Sequence, residues 1–269
     1  MNLTKILTIV LFAGSAFLAY YLYDGIHSVI VERKLVANKE DQMKDRLMLI
    51  REAEIVFQEQ MGYYTANWDS LADFIENGKV PIVQITEEII PQAYGVEKVV
   101  QHRDTLGFIP AKEKIFKKNY TMNAADNGVF QGFKIEVGDQ VIKNQDAYIL
   151  MVDGQVRRPV FIENGIISSL ANVKSGDNVT KGQNLINFWE YQFNPNIDLS
   201  KIGEVPYLPG KMLNIFVGKV DKSGILVDVI EVVDPAPADR SRKESNENKN
   251  RKPLRFGSKL DAATGGNWE

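Results

Sequence analysis

The stretch that decides the organisation of this chain runs from Ile50 to Ile75, "IREAEIVFQEQMGYYTANWDSLADFI". A helical pattern continues to Met61, and Gly62 then supplies the residue type that commonly ends helices. A second helical pattern follows Asn67, which is a favourable N-cap. The stretch therefore predicts a long helix, a break, and a short helix that folds back against the first.

The long helix is expected to begin in an apolar segment near the start of the chain. Ile6 to Tyr23 is free of charged residues and, at the helical rise, spans about 27 Å, close to the thickness of a bilayer core. Tyrosines near its end are typical of the membrane interface. We predict a transmembrane helix at residues 6–23 with residues 1–5 in the cytoplasm. A cleaved signal peptide ending in "AGSA" is the alternative.

Beyond the membrane, an apolar stripe with a seven-residue spacing follows the helix. Its members after Leu22 are the predicted partner-binding residues Val29, Val36, Met43, Ile50 and Phe57. The companion heptad position is apolar in only half of its occurrences, whereas a coiled coil requires both positions to be apolar. The stripe is therefore expected either to bind a membrane partner or a second copy, or to pack on the β domain of the same chain.

From Lys79 onward the pattern changes to short apolar segments separated by Gly, Asn, Asp and Pro. This spacing predicts a β-rich antiparallel domain at residues 79–233, with a hairpin turn at Asp221 to Gly224. Together with the long helix and the short second helix, which occupy residues 24–78, these segments indicate an α+β fold.

The C-terminal segment, residues 234–269, is predicted to be a disordered linker that ends in a docking segment. Its stretch "ADRSRKESNENKNRK" offers almost no apolar surface to offset the entropy of ordering. Phe256 and Trp268 then restore aromatic side chains, and we predict that they bind a partner. The alternative is that the tail folds back on its own domain.

The sequence predicts no catalytic, cofactor-binding or metal-binding residue. The chain has no cysteine and only two histidines, His27 and His102, and it lacks the motifs of serine hydrolases, zinc enzymes and phosphate-binding loops. The formal net charge of −3 does not favour nucleic acid as a partner. A hydrolase acting on envelope polymers would need a polar cleft, which no sequence pattern reveals.

Two resemblances concern the whole architecture. A membrane helix that continues into a long helix, followed by "GYYTANWDSLADFI" and then by β structure, resembles pseudopilins and related membrane-anchored assembly proteins of secretion and pilus machines. The closing "PLRFGS" and "GNWE", after "EVPYLPGKML", are similar to those of a family of single-pass bacterial envelope proteins of uncharacterised function. Both resemblances imply a membrane-anchored envelope protein.

A third resemblance concerns the β-rich region. The segment "ENGIISSLANVKSGDNVTKGQNLINF", Glu163 to Phe188, resembles half of a biotinyl/lipoyl-like barrel, as found in periplasmic adaptor proteins and certain peptidases. The earlier "VGDQVIKNQ" at residues 137–145 echoes "SGDNVTKGQ" at residues 175–183. No lysine stands in the sequence context that carries a cofactor. The alternative is that such Gly-Asp turns simply recur among β proteins.

From these patterns we expect a non-enzymatic, single-pass protein of the inner membrane, with most of the chain in the periplasm. It would act as a structural or scaffold component of a secretion, pilus-like or motility assembly. Its expected partners are the lipid bilayer and other envelope proteins, or further copies of itself through the long helix. The alternative is a periplasmic adaptor-like module with lipoyl-like hairpins that binds a ligand or partner.

Overall fold

The protein is an α+β chain with one long N-terminal helix and β-rich antiparallel structure. The computed structural model describes the backbone of residues 3–91, 97–239 and 252–269, and side chains in residues 11–88, 99–239 and 252–269. The helices are α1 (Leu3–Met61), α2 (Trp68–Asn77) and α3 (Ala111–Phe116). The predicted order of long helix, short helix and β structure is confirmed.

Thirteen strands are found in the described residues, and every ladder between them is antiparallel. They are β1 (Lys79–Pro91), β2 (Glu97–Pro110), β3 (Lys117–Asn123), β4 (Gly128–Phe133), β5 (Gln140–Val141), β6 (Tyr148–Val152), β7 (Gln155–Arg157), β8 (Gly165–Leu170), β9 (Asn178–Val179), β10 (Asn184–Tyr191), β11 (Asn214–Lys222), β12 (Ile225–Val233) and β13 (Arg255–Gly257).

Helix α1 has 59 residues, which corresponds to about 88 Å of axial rise. It ends where the sequence predicts, because Gly62 adopts a φ of 82° and donates its N–H to the carbonyl oxygen of Gln58 at 2.8 Å. Within the described part of the chain, no helix contains a stretch long and apolar enough to cross a membrane. The predicted span begins at Ile6, and the side chains of residues 6–10 lie outside the described part.

The chain divides into two compact units. Unit 1 consists of Met1–Trp68 and Ser200–Glu269, and unit 2 consists of Asp69–Leu199. In unit 1, α1 contacts β13, and β11, β12 and β13 form a three-stranded sheet in that order. The predicted turn at residues 221–224 joins β11 to β12 as a hairpin.

The prediction that residues 234–269 form a disordered linker with a docking segment has a different outcome in each part of the tail. Residues 240–251, which include most of the segment predicted to be disordered, lie outside the described residues. The end of the tail is ordered, because β13 pairs with β12 and the chain then bends back to place Phe256 opposite Gly266.

Unit 2 contains two four-stranded sheets of matching construction. Their strand orders are β3-β10-β8-β5 and β7-β6-β4-β9. The apolar core draws on strands of both sheets, including Phe130, Leu150, Ile167 and Phe188, each at most 2% exposed. A separate two-stranded sheet, β1-β2, precedes them, and α3 contacts both of its strands.

The sequence echo corresponds to a repeated pair of turns. In the first copy, Glu136 donates its N–H to the Asp139 carboxylate at 2.8 Å, and in the second Lys174 donates to Asp177 at 2.8 Å. The intervening Gly138 and Gly176 have φ values of 95° and 99°, a region that favours glycine. Local chemistry therefore builds the same Gly-Asp turn twice.

Each repeated turn also bonds to a strand of the other repeat. Gly138 donates its N–H to the carbonyl oxygen of Ile167 at 2.9 Å, and Gly176 donates to that of Phe130 at 2.8 Å. In the same way, β5 pairs with β8 and β9 pairs with β4. The two repeats thus exchange short strands, so that each sheet is completed by the opposite half.

We predict that the two turn aspartates contribute equally to stability. Asp139→Ala and Asp177→Ala each remove a carboxylate that accepts a backbone N–H, and each should lower the free energy of unfolding by about 1 kcal/mol. Asp139→Asn and Asp177→Asn keep an acceptor and serve as matched controls with smaller losses. Urea unfolding measures all four variants. A loss confined to one of the two alanine variants would contradict the equivalence of the repeats.

Candidate functional site

The second half of the predicted partner-binding stripe is buried within the chain. Met43 and Ile50 are fully buried, and Phe57 is nearly so. Between them, the Arg46 guanidinium donates to the backbone carbonyl oxygens of Lys201 and Ile202. In this part of α1 the stripe therefore packs within its own chain, which was one of the two alternatives that the sequence left open.

The first half of the stripe is accessible. Val29 is 45% exposed, and Val36 is partly exposed. Apolar side chains at least 45% exposed occur around the whole circumference of α1 from Leu11 to Leu35. Those between these two ends are Phe12, Phe17, Leu18, Tyr20, Tyr21, Leu22, Tyr23, Ile26, Val29, Ile30 and Val31. This surface, rather than Met43, Ile50 and Phe57, is where a lipid or protein partner has access.

The aromatic residues of the tail contact their own domain. Phe256 is fully buried in β13, and Trp268 is partly buried with its ring against Gly266. Arg255 donates to the carboxylate of Glu231 at 2.7 Å. In this conformation Phe256 is not accessible to a second protein, and the tail follows the alternative in which it folds back.

Charges also connect the end of the tail to α1. The carboxylate of Glu269 accepts a hydrogen bond from the Arg51 guanidinium, and this bond holds the pKa of Glu269 below its usual value. Asn267 exchanges further bonds with Arg255 and Pro253, with its side-chain oxygen accepting and its side-chain amide donating. The tail segment from Pro253 to Glu269 therefore forms a bonded part of unit 1.

The aromatic residues of the short second helix lie in different units. The Trp68 ring lies against Gly203, so closely that a Cβ there would stand 2.5 Å from the ring. Phe74 is buried beside Gly78. Both residues therefore have packing roles in the described structure.

The hairpin tip in the first sequence repeat lacks a residue that could carry a cofactor. The turn between β6 and β7 is formed by Asp153 and Gly154, both with positive φ. A swinging-arm cofactor requires a lysine at the tip, and none stands there. In the repeated turns, Gln145 and Gln183 accept the backbone N–H groups of Ile142 and Thr180, each at 3.1 Å.

A cavity of about 220 Å³ lies beside β3 and β10 in unit 2. It is lined mainly by apolar atoms of Tyr120, Met122, Val160, Ile162 and Phe188. The Tyr120 hydroxyl donates to Glu190 at 2.6 Å, and burial followed by this bond raises the pKa of Tyr120 to about 12. This phenol therefore stays protonated at neutral pH.

A buried carboxyl group in α1 was not identified from the sequence. Glu54 is 1% exposed, and its Oε2 accepts the N–H of Thr65 at 3.0 Å, while Oε1 has no hydrogen-bond partner among the described residues. Burial raises the pKa of Glu54 to about 8. The only sequence signal for Glu54 was that it occupies the companion heptad position, which is apolar in only half of its occurrences.

Among the residues that the structure describes, no group of three or more histidine, aspartate and glutamate side chains is close enough to hold a metal ion. Comparison of the chain with protein-family models and with curated proteins finds no match. A function can therefore be inferred only from the sequence and structure of this chain.

We predict that Glu54 makes stability fall with rising pH. The folded chain keeps this proton to about pH 8, whereas the unfolded chain releases it near 4.5. The stabilising effect of protonation is therefore complete below pH 4.5 and is lost as the pH rises to about 8.

Glu54→Gln should remove this dependence and give a variant more stable than the parent above pH 8. Urea unfolding across the pH range measures the difference, and Glu59→Gln, an exposed change in the same helix, is the control. A difference between Glu54→Gln and the parent that stays constant with pH would contradict the assignment.

Phe256 is predicted to stabilise the chain itself. Phe256→Ala should lower the free energy of unfolding by about 3–5 kcal/mol because it empties a fully buried site. Leu260→Ala, 78% exposed in the same segment, should change it by less than about 0.5 kcal/mol. Equal effects of the two substitutions in thermal unfolding would show that the tail does not pack as described.

Proposed function

We propose that this protein is a non-enzymatic, single-pass protein of the inner membrane, with its N-terminus in the cytoplasm and most of the chain in the periplasm. It acts as a structural component of a secretion, pilus-like or motility assembly. The observation that carries the proposal is the change along α1, from a segment with accessible apolar side chains on all sides to a segment buried within unit 1.

A helix with apolar residues around its whole circumference has no stable place in water, because it has no polar face to present to the solvent. The exposed surface of α1 from Leu11 to Leu35 has this character over most of its length and also includes polar residues toward its end. Its tyrosines, Tyr20, Tyr21 and Tyr23, suit the boundary between lipid and water. A bilayer around the first part and a protein partner along Val29 and Val36 would cover this surface.

The same helix supports a structural role. It continues without interruption from this surface to Met61, and its later half is fixed by Arg46 and by the ordered tail. In the repeated turns of unit 2, the aspartate and glutamine side chains accept backbone N–H groups of the same turns. The proposal therefore assigns binding and spacing, and no reaction, to the chain.

The internal repeat favours a second candidate function, a periplasmic adaptor-like module that binds a ligand or partner through unit 2. Its supporting observation is the pair of equivalent sheets, β3-β10-β8-β5 and β7-β6-β4-β9. In this candidate the accessible helix surface would only tether the module, and binding would depend on unit 2.

The absence of native cysteines allows a direct test of membrane topology. Asn2→Cys and Ser175→Cys place single thiols at the N-terminus and in an exposed turn of unit 2. In cells with a permeabilised outer membrane, an impermeant maleimide should label Ser175→Cys at once and Asn2→Cys only after lysis. Equal labelling of both, or release of the chain from membranes by alkaline carbonate, would overturn the anchored arrangement.

A photo-crosslinking amino acid at Val29 or Val36 tests the partner surface in the same cells. Val31 is the matched control, because it is an exposed valine on the opposite face of α1. Protein adducts should form at Val29 and Val36 in preference to Val31. Adducts that instead form only from probes placed on unit 2 would favour the adaptor-like module.

A further inference from the structure

The strands β1 and β2 form a sheet of two strands that pair only with each other among the described residues. They have 13 and 14 residues, and the longer of them therefore extends over about 45 Å. An isolated two-stranded sheet is at most marginally stable in water. This ribbon, residues 79–91 with 97–110, therefore has an edge or a face that is available to a further element.

One face of the ribbon carries exposed apolar side chains together with polar ones such as Glu87 and Gln101. The side chains of Val83, Ile85 and Val99 are 43–54% exposed, and the register places them on the same face. The opposite face carries polar pairs, including His102 with Glu88 at 3.1 Å. A further strand paired beside β2 would bring its own side chains next to the exposed Val99 on this face.

The two outer edges of the ribbon differ in their ability to pair. Pro81 and Pro91 have no N–H, so they are compatible with the ladder only where the residue's N–H would point outward. Hydrogen-bonded and non-hydrogen-bonded pairs alternate along the ladder. Since both prolines are odd-numbered, the odd-numbered residues of β1 between them also point their N–H groups outward. The β1 edge therefore lacks two donors and carries adjacent carboxylates at Glu87 and Glu88, features that discourage pairing.

The β2 edge has no such protection. By the same alternation, its outward-facing N–H groups belong to Val99, Gln101, Arg103 and Thr105, the register partners of the odd-numbered β1 residues. No proline interrupts β2 before Pro110. A continuous row of unpaired donors and acceptors of this kind is a template for another strand.

We propose that a second copy of this chain pairs antiparallel along the β2 edge, about a two-fold axis at Gln101, to give a four-stranded sheet. This register places Val99 opposite Arg103 of the second copy, where the arginine stem can cover the valine, and it avoids an Arg103 to Arg103 pair. By sequence, the residues three positions either side of Gln101 carry opposite charges, Lys98 and Asp104, so the edge is complementary to itself. The contact is independent of the membrane anchor and of the stripe on α1.

Proline substitution provides a test with a control in the same residue pair. Gln101 and Glu87 are register partners that share a side-chain hydrogen bond of 2.9 Å, so Gln101→Pro and Glu87→Pro each remove that bond and one outward-facing donor. Only Gln101→Pro blocks the proposed edge. In light scattering of the detergent-solubilised full chain, the parent and Glu87→Pro should have the mass of two chains, and Gln101→Pro that of one.

Single cysteines test the register, since the chain has none of its own. A two-fold axis at Gln101 brings the two Cα atoms to about 5.5 Å, so Gln101→Cys should give a cross-linked dimer with a short bismaleimide. Val99→Cys and Arg103→Cys should cross-link efficiently only when the two variants are mixed, and Glu87→Cys should not cross-link.

A parent chain with the mass of one copy would overturn the proposal. So would loss of the dimer in Glu87→Pro alone, which would assign the contact to β1. Recovery of the β2 edge bound to a different protein, with no self-cross-link at Gln101→Cys, would equally reject a second copy. Circular dichroism of Gln101→Pro and Glu87→Pro must remain equal, so that a change in mass reports pairing and not unfolding.

Discussion

The exchange of short strands between the two repeats is the constraint on which unit 2 depends. Neither repeat can complete its sheet alone, because β5 belongs beside β8 and β9 belongs beside β4. The Gly-Asp turns set the direction of these strands. The N–H groups of Gly138 and Gly176 donate hydrogen bonds that hold each turn against the opposite repeat. Phe130 and Ile167, which accept those bonds, are core residues as well. The turn chemistry and the packing of the core are therefore two aspects of one arrangement.

Unit 1 is instead held together by contacts between segments that are far apart in the sequence. The later half of α1 is joined to the chain's end through Arg51 and Glu269, and to the segment after Leu199 through Arg46. Within this unit a single carboxyl, Glu54, is buried with one oxygen unpaired among the described residues. Such a group costs least when it is neutral, so the stability of unit 1 depends on the protonation of Glu54.

The parts of this fold that adjacent residues determine could be predicted from the sequence. The parts that depend on contacts between distant segments could not. Gly62, the Gly-Asp turns and the hairpin at residues 221–224 were recognisable because a few adjacent residues determine each of them. Val29 and Met43 are both apolar members of one stripe, yet one is exposed and the other buried, because burial depends on segments that the periodicity does not contain. For the same reason the sequence left the fate of Phe256 open. The strands β1 and β2 were recognisable as strands, but not as a pair without further neighbours.

The strand exchange also has a kinetic consequence. Helix α1 is built from contacts between near neighbours and can form as soon as its residues emerge, whereas the ladder of β4 with β9 joins residues some fifty positions apart. During synthesis, the sheet β7-β6-β4-β9 lacks its last strand until β9 has emerged, and the sheet β3-β10-β8-β5 lacks one until β10 has emerged. Until then the apolar residues of β4, β6 and β8 lack their final cover, which is the period in which a nascent chain is most vulnerable to aggregation and most dependent on chaperones.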